Sequence, residues 1–120
     1  MNTTENTTGF KALPAAAAIV QGQRVKIVGA TWDVAGATDN AVGVATHNAA
    51  LGENLTVKLF SAPGTFLMRA NAAIAAGAQL FPTAAGNVDD AGTTALNLAA
   101  LEAATAPGDL IECAAIHKGA

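Results

Sequence analysis

The sequence contains no tyrosine, one tryptophan, one cysteine, one serine and two histidines in 120 residues. Charged residues make up only 12% of the chain. Each shortage excludes something. The single cysteine, Cys113, rules out an internal disulfide framework and any multi-cysteine zinc site. Nucleophilic catalysis needs a serine or cysteine within reach of a histidine and an orienting carboxylate. The one serine, Ser61, is followed by Ala62-Pro63-Gly64, a turn. Cys113 sits in the apolar stretch Leu110 to Ile116, where a thiol acts as a small buried side chain. His117 follows four residues later, which on a strand means the same face but roughly 13 Å away. His47, in Thr46-His47-Asn48, reads as an exposed turn residue. No enzyme activity, cofactor or metal site is therefore expected. His47, Cys113 and His117 lack ligand spacing, and Asp89-Asp90 lacks the alternating acidic positions of a calcium loop. No GxxxxGK[ST] or GxGxxG nucleotide motif is present.

Basic residues are also few. Six Lys and Arg against nine Asp and Glu give a net charge of −3 with no basic cluster, so no nucleic acid partner is expected. The longest apolar run, Ala12 to Val20, contains Pro14 and is far shorter than the roughly 20 residues that cross a bilayer. Its flank carries Glu5 and one lysine, too little positive charge for a signal peptide, so neither a membrane partner nor secretion is expected.

What the chain has is alanine, 31 residues of it, within a hydrophobic fraction of 52%. Alanine buries little area, so the core is thin in large anchors and the surface is rich in small uncharged residues that suit packing against protein. Residues 1–18 read as an N-terminal arm, because MNTTENTTG has no apolar periodicity and cannot offset its ordering entropy. Phe10 and Leu13 would anchor that arm, and Pro14 stops any helix through them. Residues 19–120 then form one β-rich domain. Within it a phrase recurs in which an apolar residue, two small or polar residues and a glycine precede a strand. Its copies end at Gly22, Gly52, Gly77 and Gly108, so the first pair maps onto the second at a shift of 55 to 56, a weak internal duplication. Trp32-Asp33-Val34 and Gly86-Asn87-Val88 occupy the middle of the two halves.

Alternation predicts half-buried strands. Val25 and Ile27 oppose Arg24 and Lys26, and Leu55, Val57 and Leu59 oppose Thr56 and Lys58. Short strands separated by Gly, Asn, Asp and Pro turns predict an all-β, small barrel or sandwich-like domain. Helix is expected only as a turn or two, at Asn71 to Ala76 and at Leu101 to Thr105. Trp32 is expected in the core of a chain that can hardly spare its only tryptophan, with a contact role as the alternative.

In order along the chain, Val42 to Ala45, Ala45-Thr46 to Gly52-Glu53, Ala70 to Gly77, Gly86-Asn87-Val88 and Leu101-Glu-Ala-Ala-Thr-Ala-Pro-Gly-Asp109 resemble the capsid cement, or head decoration, proteins of tailed bacteriophages. The resemblance covers roughly Ala18 to Ile116. Where that family repeats glycine-valine-alanine in the second half, this chain has Asn97-Leu-Ala-Ala100. The resemblance implies a small β-rich domain, a homotrimer that binds the major capsid protein at local threefold positions on the outer surface of the virion, made in the host cytoplasm. Phe10, Leu13, Pro14 and Trp32 are then the expected capsid or intersubunit contacts. Another virion subunit, of tail tube or fibre, would share the composition. A biotinyl or lipoyl carrier domain shares the two similar halves but needs its lysine at a hairpin tip, and Lys58 and Lys26 lie within strands. A carbohydrate-binding module needs exposed aromatics, and only Trp32 is offered.

Overall fold

The computed structural model describes residues 8–116. These form ten β-strands and, among the described residues, no helix. The first five are β1 (Phe10–Pro14), β2 (Arg24–Val28), β3 (Thr31–Val34), β4 (Gly43–Ala45) and β5 (Asn54–Leu59). The second five are β6 (Phe66–Arg69), β7 (Phe81–Pro82), β8 (Val88–Asp89), β9 (Leu98–Ala100) and β10 (Leu110–Ala115). The first set makes one sheet in the order β1-β5-β4-β2-β3. The second makes a sheet β6-β10-β9 and a ribbon β7-β8, joined by a bridge between Gln79 and Ala99. Read through that bridge, the strand order of the first half repeats in the second.

The repeat extends to individual hydrogen bonds. Ile19 and Ala49 form an isolated antiparallel bridge, and so do Ile74 and Ala104. Ala15 bridges Trp32 in parallel, and Ala70 bridges Val88. Gly22 N–H donates to Ala45 C=O, as Gly77 N–H does to Ala100 C=O. The middle segments align differently from the expectation, since these bridges make Trp32 the counterpart of Val88 and not of Gly86. The glycines ending the four phrases share one role. Gly22, Gly52, Gly77 and Gly108 have φ between 84° and 90°. Each precedes the residue that closes a turn, as in Gln23 N–H to Val20 C=O, a backbone that side-chain-bearing residues rarely adopt.

Each half centres on its own core, and Val44 of the first half packs in the core of the second. The first contains Ala15, Ile19, Val25, Trp32, Ala45, Ala49, Leu55 and Val57. Their counterparts Ala70, Ile74, Leu80, Val88, Ala100, Ala104, Ile111 and Cys113 are all in the second. Trp32 faces no counterpart of its size, and the second core is filled by Phe66, Met68 and Leu98.

Several expectations are corrected. The barrel does not close: each sheet curls until its edges touch at one bridge, with Ala16 N–H on Trp32 C=O at 2.7 Å and Asn71 N–H on Val88 C=O at 2.8 Å. The helical turns at Asn71 to Ala76 and Leu101 to Thr105 are absent. Ile74 and Ala104 instead exchange two backbone hydrogen bonds, because both side chains are core and burial overrides alanine's helix propensity. Of the expected arm, residues 1–7 lie outside the described residues. Phe10–Pro14 is strand β1, paired with β5 from Phe10 opposite Lys58 to Pro14 opposite Asn54.

Arg24 departs furthest from the alternation. It is fully buried, while Ile27 on the same strand is half exposed. Its guanidinium donates only to backbone carbonyls: Nη2 to Thr83 at 2.8 Å and Ala35 at 3.2 Å, Nε to Asn87 at 3.3 Å, and Nη1 to Gly36 at 3.4 Å. Its own N–H donates to Gly86 C=O at 2.8 Å. One side chain thus ties β2 to the β3–β4 loop and to the β7–β8 turn of the other half. Truncation would leave those carbonyls without their donors, so Arg24→Ala is expected to lower the unfolding free energy by about 1–3 kcal/mol or more, the cost of a buried acceptor left unsatisfied. Urea denaturation checks this, and a loss below about 1 kcal/mol would contradict it.

Candidate functional site

The described surface offers three candidate features: a cleft between the halves, the titratable side chains, and a set of exposed apolar residues. The cleft has a volume of about 610 Å³. Its walls are residues 37–41 of the β3–β4 loop and residues 94–98 leading into β9, with Phe60 and Phe66 below. The two rings meet edge to face at 5.4 Å. Asp39 is the one ionisable side chain on the lining. Its Oδ2 accepts Gly36 N–H at 2.8 Å and Lys26 Nζ at 2.9 Å. The Gly36 bond, then the Lys26 contact, hold the carboxyl below the usual range. Its stabilising contribution is therefore present above the ordinary value of 3.8 and is lost as pH falls through the lowered one. A carboxylate so held is a weak base, and the hydroxyls on the same lining are those of Thr38 and Thr94.

The chemistry-bearing residues are dispersed. His47 Nε2 accepts Thr56 N–H at 3.1 Å, which assigns the ring proton to Nδ1, 3.0 Å from Asn48 C=O. The imidazole thus braces the loop ahead of β5. Cys113 is buried in the second core, and His117 lies outside the described residues. Among the described residues no group of three or more His, Cys, Asp or Glu is placed to hold a metal. Lys58 is not displayed at a tip. Its Nζ donates to Thr65 C=O at 2.5 Å and lies 4.9 Å from the centre of the Phe66 ring.

The four expected contact residues separate. Trp32 is removed from the set, since it is 1% exposed and packed in the first core, where its Nε1 has no hydrogen-bond partner. Leu13 is half-buried against the same core, its position dictated by pairing with Leu55. Phe10 and Pro14 are exposed on the edge strand β1. The structure adds exposed apolar residues that the alternation did not single out: Ile27 and Val28 at the end of β2, Leu51, Leu67 and Leu101. The β2–β3 hairpin carries Ile27 and Val28 past β4, which pairs only with Arg24 and Val25.

Burial raises the Cys113 thiol from 9.0 to about 12, with the carboxylates of Glu102 and Glu112 adding to the shift. A group whose folded pKa is raised stabilises the fold below its unfolded value and loses that contribution as pH rises through the folded one, here from about 9 to about 12. Iodoacetamide at pH 8 is therefore expected to leave Cys113 unmodified in the native protein and to alkylate it on unfolding. Rapid labelling of the native chain would contradict the buried placement.

No family model and no curated protein matches the chain.

Proposed function

We propose that the protein is a structural component of a tailed-bacteriophage virion, a cement protein that binds the major capsid protein on the outer surface of the capsid and stabilises the shell, as a homotrimer at local threefold positions. The observation that carries the reading is the character of the surface. Phe10, Ile27, Val28, Leu51, Leu67 and Leu101 stand 43–72% exposed, and the segments around them are mostly Ala, Gly, Thr and Asn. Small uncharged side chains let backbone approach backbone closely, and exposed apolar residues gain by leaving water, so this surface suits protein contact more than small-molecule chemistry. The ordered phrases from Val42 to Asp109 that resemble the cement family support the same reading. The acidic balance keeps such a protein off packaged DNA.

Weak single contacts suffice for this role. A ligand that binds only the intact lattice stabilises it by about 2.7 kcal/mol per site at a hundredfold excess over its dissociation constant. A trimer touching several capsid subunits adds avidity, because later contacts form at high effective concentration. Purified protein added to capsids that lack it should therefore remain on the particles through sedimentation and raise their temperature of disruption. Capsids that neither retain the protein nor gain heat resistance would refute the reading. Gold-labelled protein found on tails would favour the tail-tube or fibre alternative instead.

A further inference from the structure

The two halves are related by a repeat, but not by a two-fold exchange. In a two-fold pair every contact occurs twice with the roles swapped. Here Arg69 of the second half donates its N–H to Gly22 C=O at 3.0 Å and its Nε to Gln21 C=O at 3.2 Å. Gln23 and Arg24 of the first half reach the β7–β8 turn, through Nε2 to Ala85 C=O at 2.9 Å and N–H to Gly86 C=O at 2.8 Å. A Cβ on Gly22 would come within 2.4 Å of Leu110 Cδ2. The swapped versions are missing. Gly77, the counterpart of Gly22, has nothing within 4 Å of that position. The counterpart of Arg69 is Pro14, which has no N–H to give. The halves therefore pack head to tail. The second half offers β6 and the β7–β8 turn, and the first receives them on Gln21 to Arg24 and Thr46.

Head-to-tail packing of two repeats uses one face of each and leaves the equivalent of each used face at the opposite end. On the first half, the face equivalent to β6 and the β7–β8 turn comprises β1 and the β2–β3 hairpin. Ile27 is 52% and Val28 48% exposed on the hairpin, and Phe10 of β1 is 43% exposed. On the second half, the face equivalent to Gln21–Arg24 and Thr46 comprises Ala76–Gln79 and Leu101. Leu101 is 50% exposed, in the place of Thr46, which lines a cavity of about 280 Å³ between the halves. Four of the exposed large apolar residues, Phe10, Ile27, Val28 and Leu101, thus fall on the two surfaces that correspond to an interface already present inside the chain, while Leu51 and Leu67 lie elsewhere.

We infer that the chain associates with a second copy of itself head to tail, the Ile27–Val28 hairpin of one molecule docking on the Ala76–Gln79 and Leu101 face of the next. The contact is heterologous, so its repetition closes a ring or extends a filament according to the rotation per copy. Pro14 cannot reproduce the Arg69 backbone bond, so the contact between molecules depends on apolar burial more than the internal one does. This inference deepens the homotrimer part of the proposed function and does not require capsid binding.

The test crosses two substitutions in the full chain. Val28→Asp damages only the docking hairpin, and Leu101→Asp only the receiving face. By sedimentation velocity at high micromolar concentration, the parent chain is expected to associate and each variant alone to dissociate at least tenfold more readily. Mixed in equal amounts, the variants should form a dimer that grows no further, because Leu101→Asp keeps a hairpin and Val28→Asp keeps a receiving face. Native Trp32 fluorescence verifies folding, and if aspartate unfolds either chain, Val28→Thr and Leu101→Thr make the same cross. A monomeric parent, variants that associate like the parent, or a mixture that stays monomeric would each overturn the inference. A monomeric parent that still binds capsids would overturn it while sparing the capsid reading, and an associating parent that ignores capsids would do the reverse.

Discussion

Burying the guanidinium of Arg24 takes a full positive charge out of water, and no carboxylate lies within ion-pair distance of it among the described residues. Burial pushes its pKa down, partly offset by the charge of Asp39. The fold meets the cost with backbone carbonyls from Ala35, Gly36, Thr83 and Asn87, fixed in place by loops of both halves. The dependence runs both ways. Without the arginine the carbonyls of the β7–β8 turn would face an apolar seam, and without that turn the charge would stand unsolvated. Head-to-tail packing, the cleft beside it and the uncovered faces at either end all follow from where this side chain holds the second half.

The repeats diverge most beside the cleft. In the first half Val42 N–H donates to Val25 C=O, and Val42 C=O accepts from Phe60. In the second half two residues share that work: Leu96 N–H donates to Leu80 C=O, and Asn97 C=O accepts from Ile116. The extra residue makes a bulge, and Asn97 takes it up with φ of 61°, the one positive-φ residue other than glycine among those described. The bulge explains how Leu98 replaces Gly43. A Cβ on Gly43 would lie 2.5 Å from Lys58 C=O, whereas the displaced strand has room for a leucine that fills the second core. The departure of Asn97-Leu-Ala-Ala100 from glycine-valine-alanine is thus a packing solution.

Much of this was legible in the sequence and some was not, for physical reasons. The duplication was readable because four turns each need a positive-φ glycine, which fixed the spacing of Gly22, Gly52, Gly77 and Gly108. The all-β class and the burial of Leu55 and Val57 followed from alternation, and that of Cys113 from the apolar stretch around it. Arg24 was not readable, because its position in an alternating strand looks like that of Lys26, and the carbonyls that solvate it come from residues 35–36 and 83–87. The helical turns failed where an alanine-rich segment is held by one distant bridge, from Ile74 to Ala104. Trp32 lies in the core as its size favoured, which removes it from the expected contacts, and Ile27 and Val28 were missed because the hairpin's overhang depends on the length of β4.

The account holds that the two repeats behave as one cooperative body because Arg24, the bonds of Arg69 and Gln23, and Val44 packed in the second core join them. Each half carries a unique reporter, Trp32 in the first core and Cys113 in the second. The most direct measurement is a single urea titration followed by tryptophan fluorescence and by pulsed alkylation of Cys113. Coincident midpoints and slopes from the two probes are predicted. Two separated transitions, with one reporter released while the other stays native, would contradict the account.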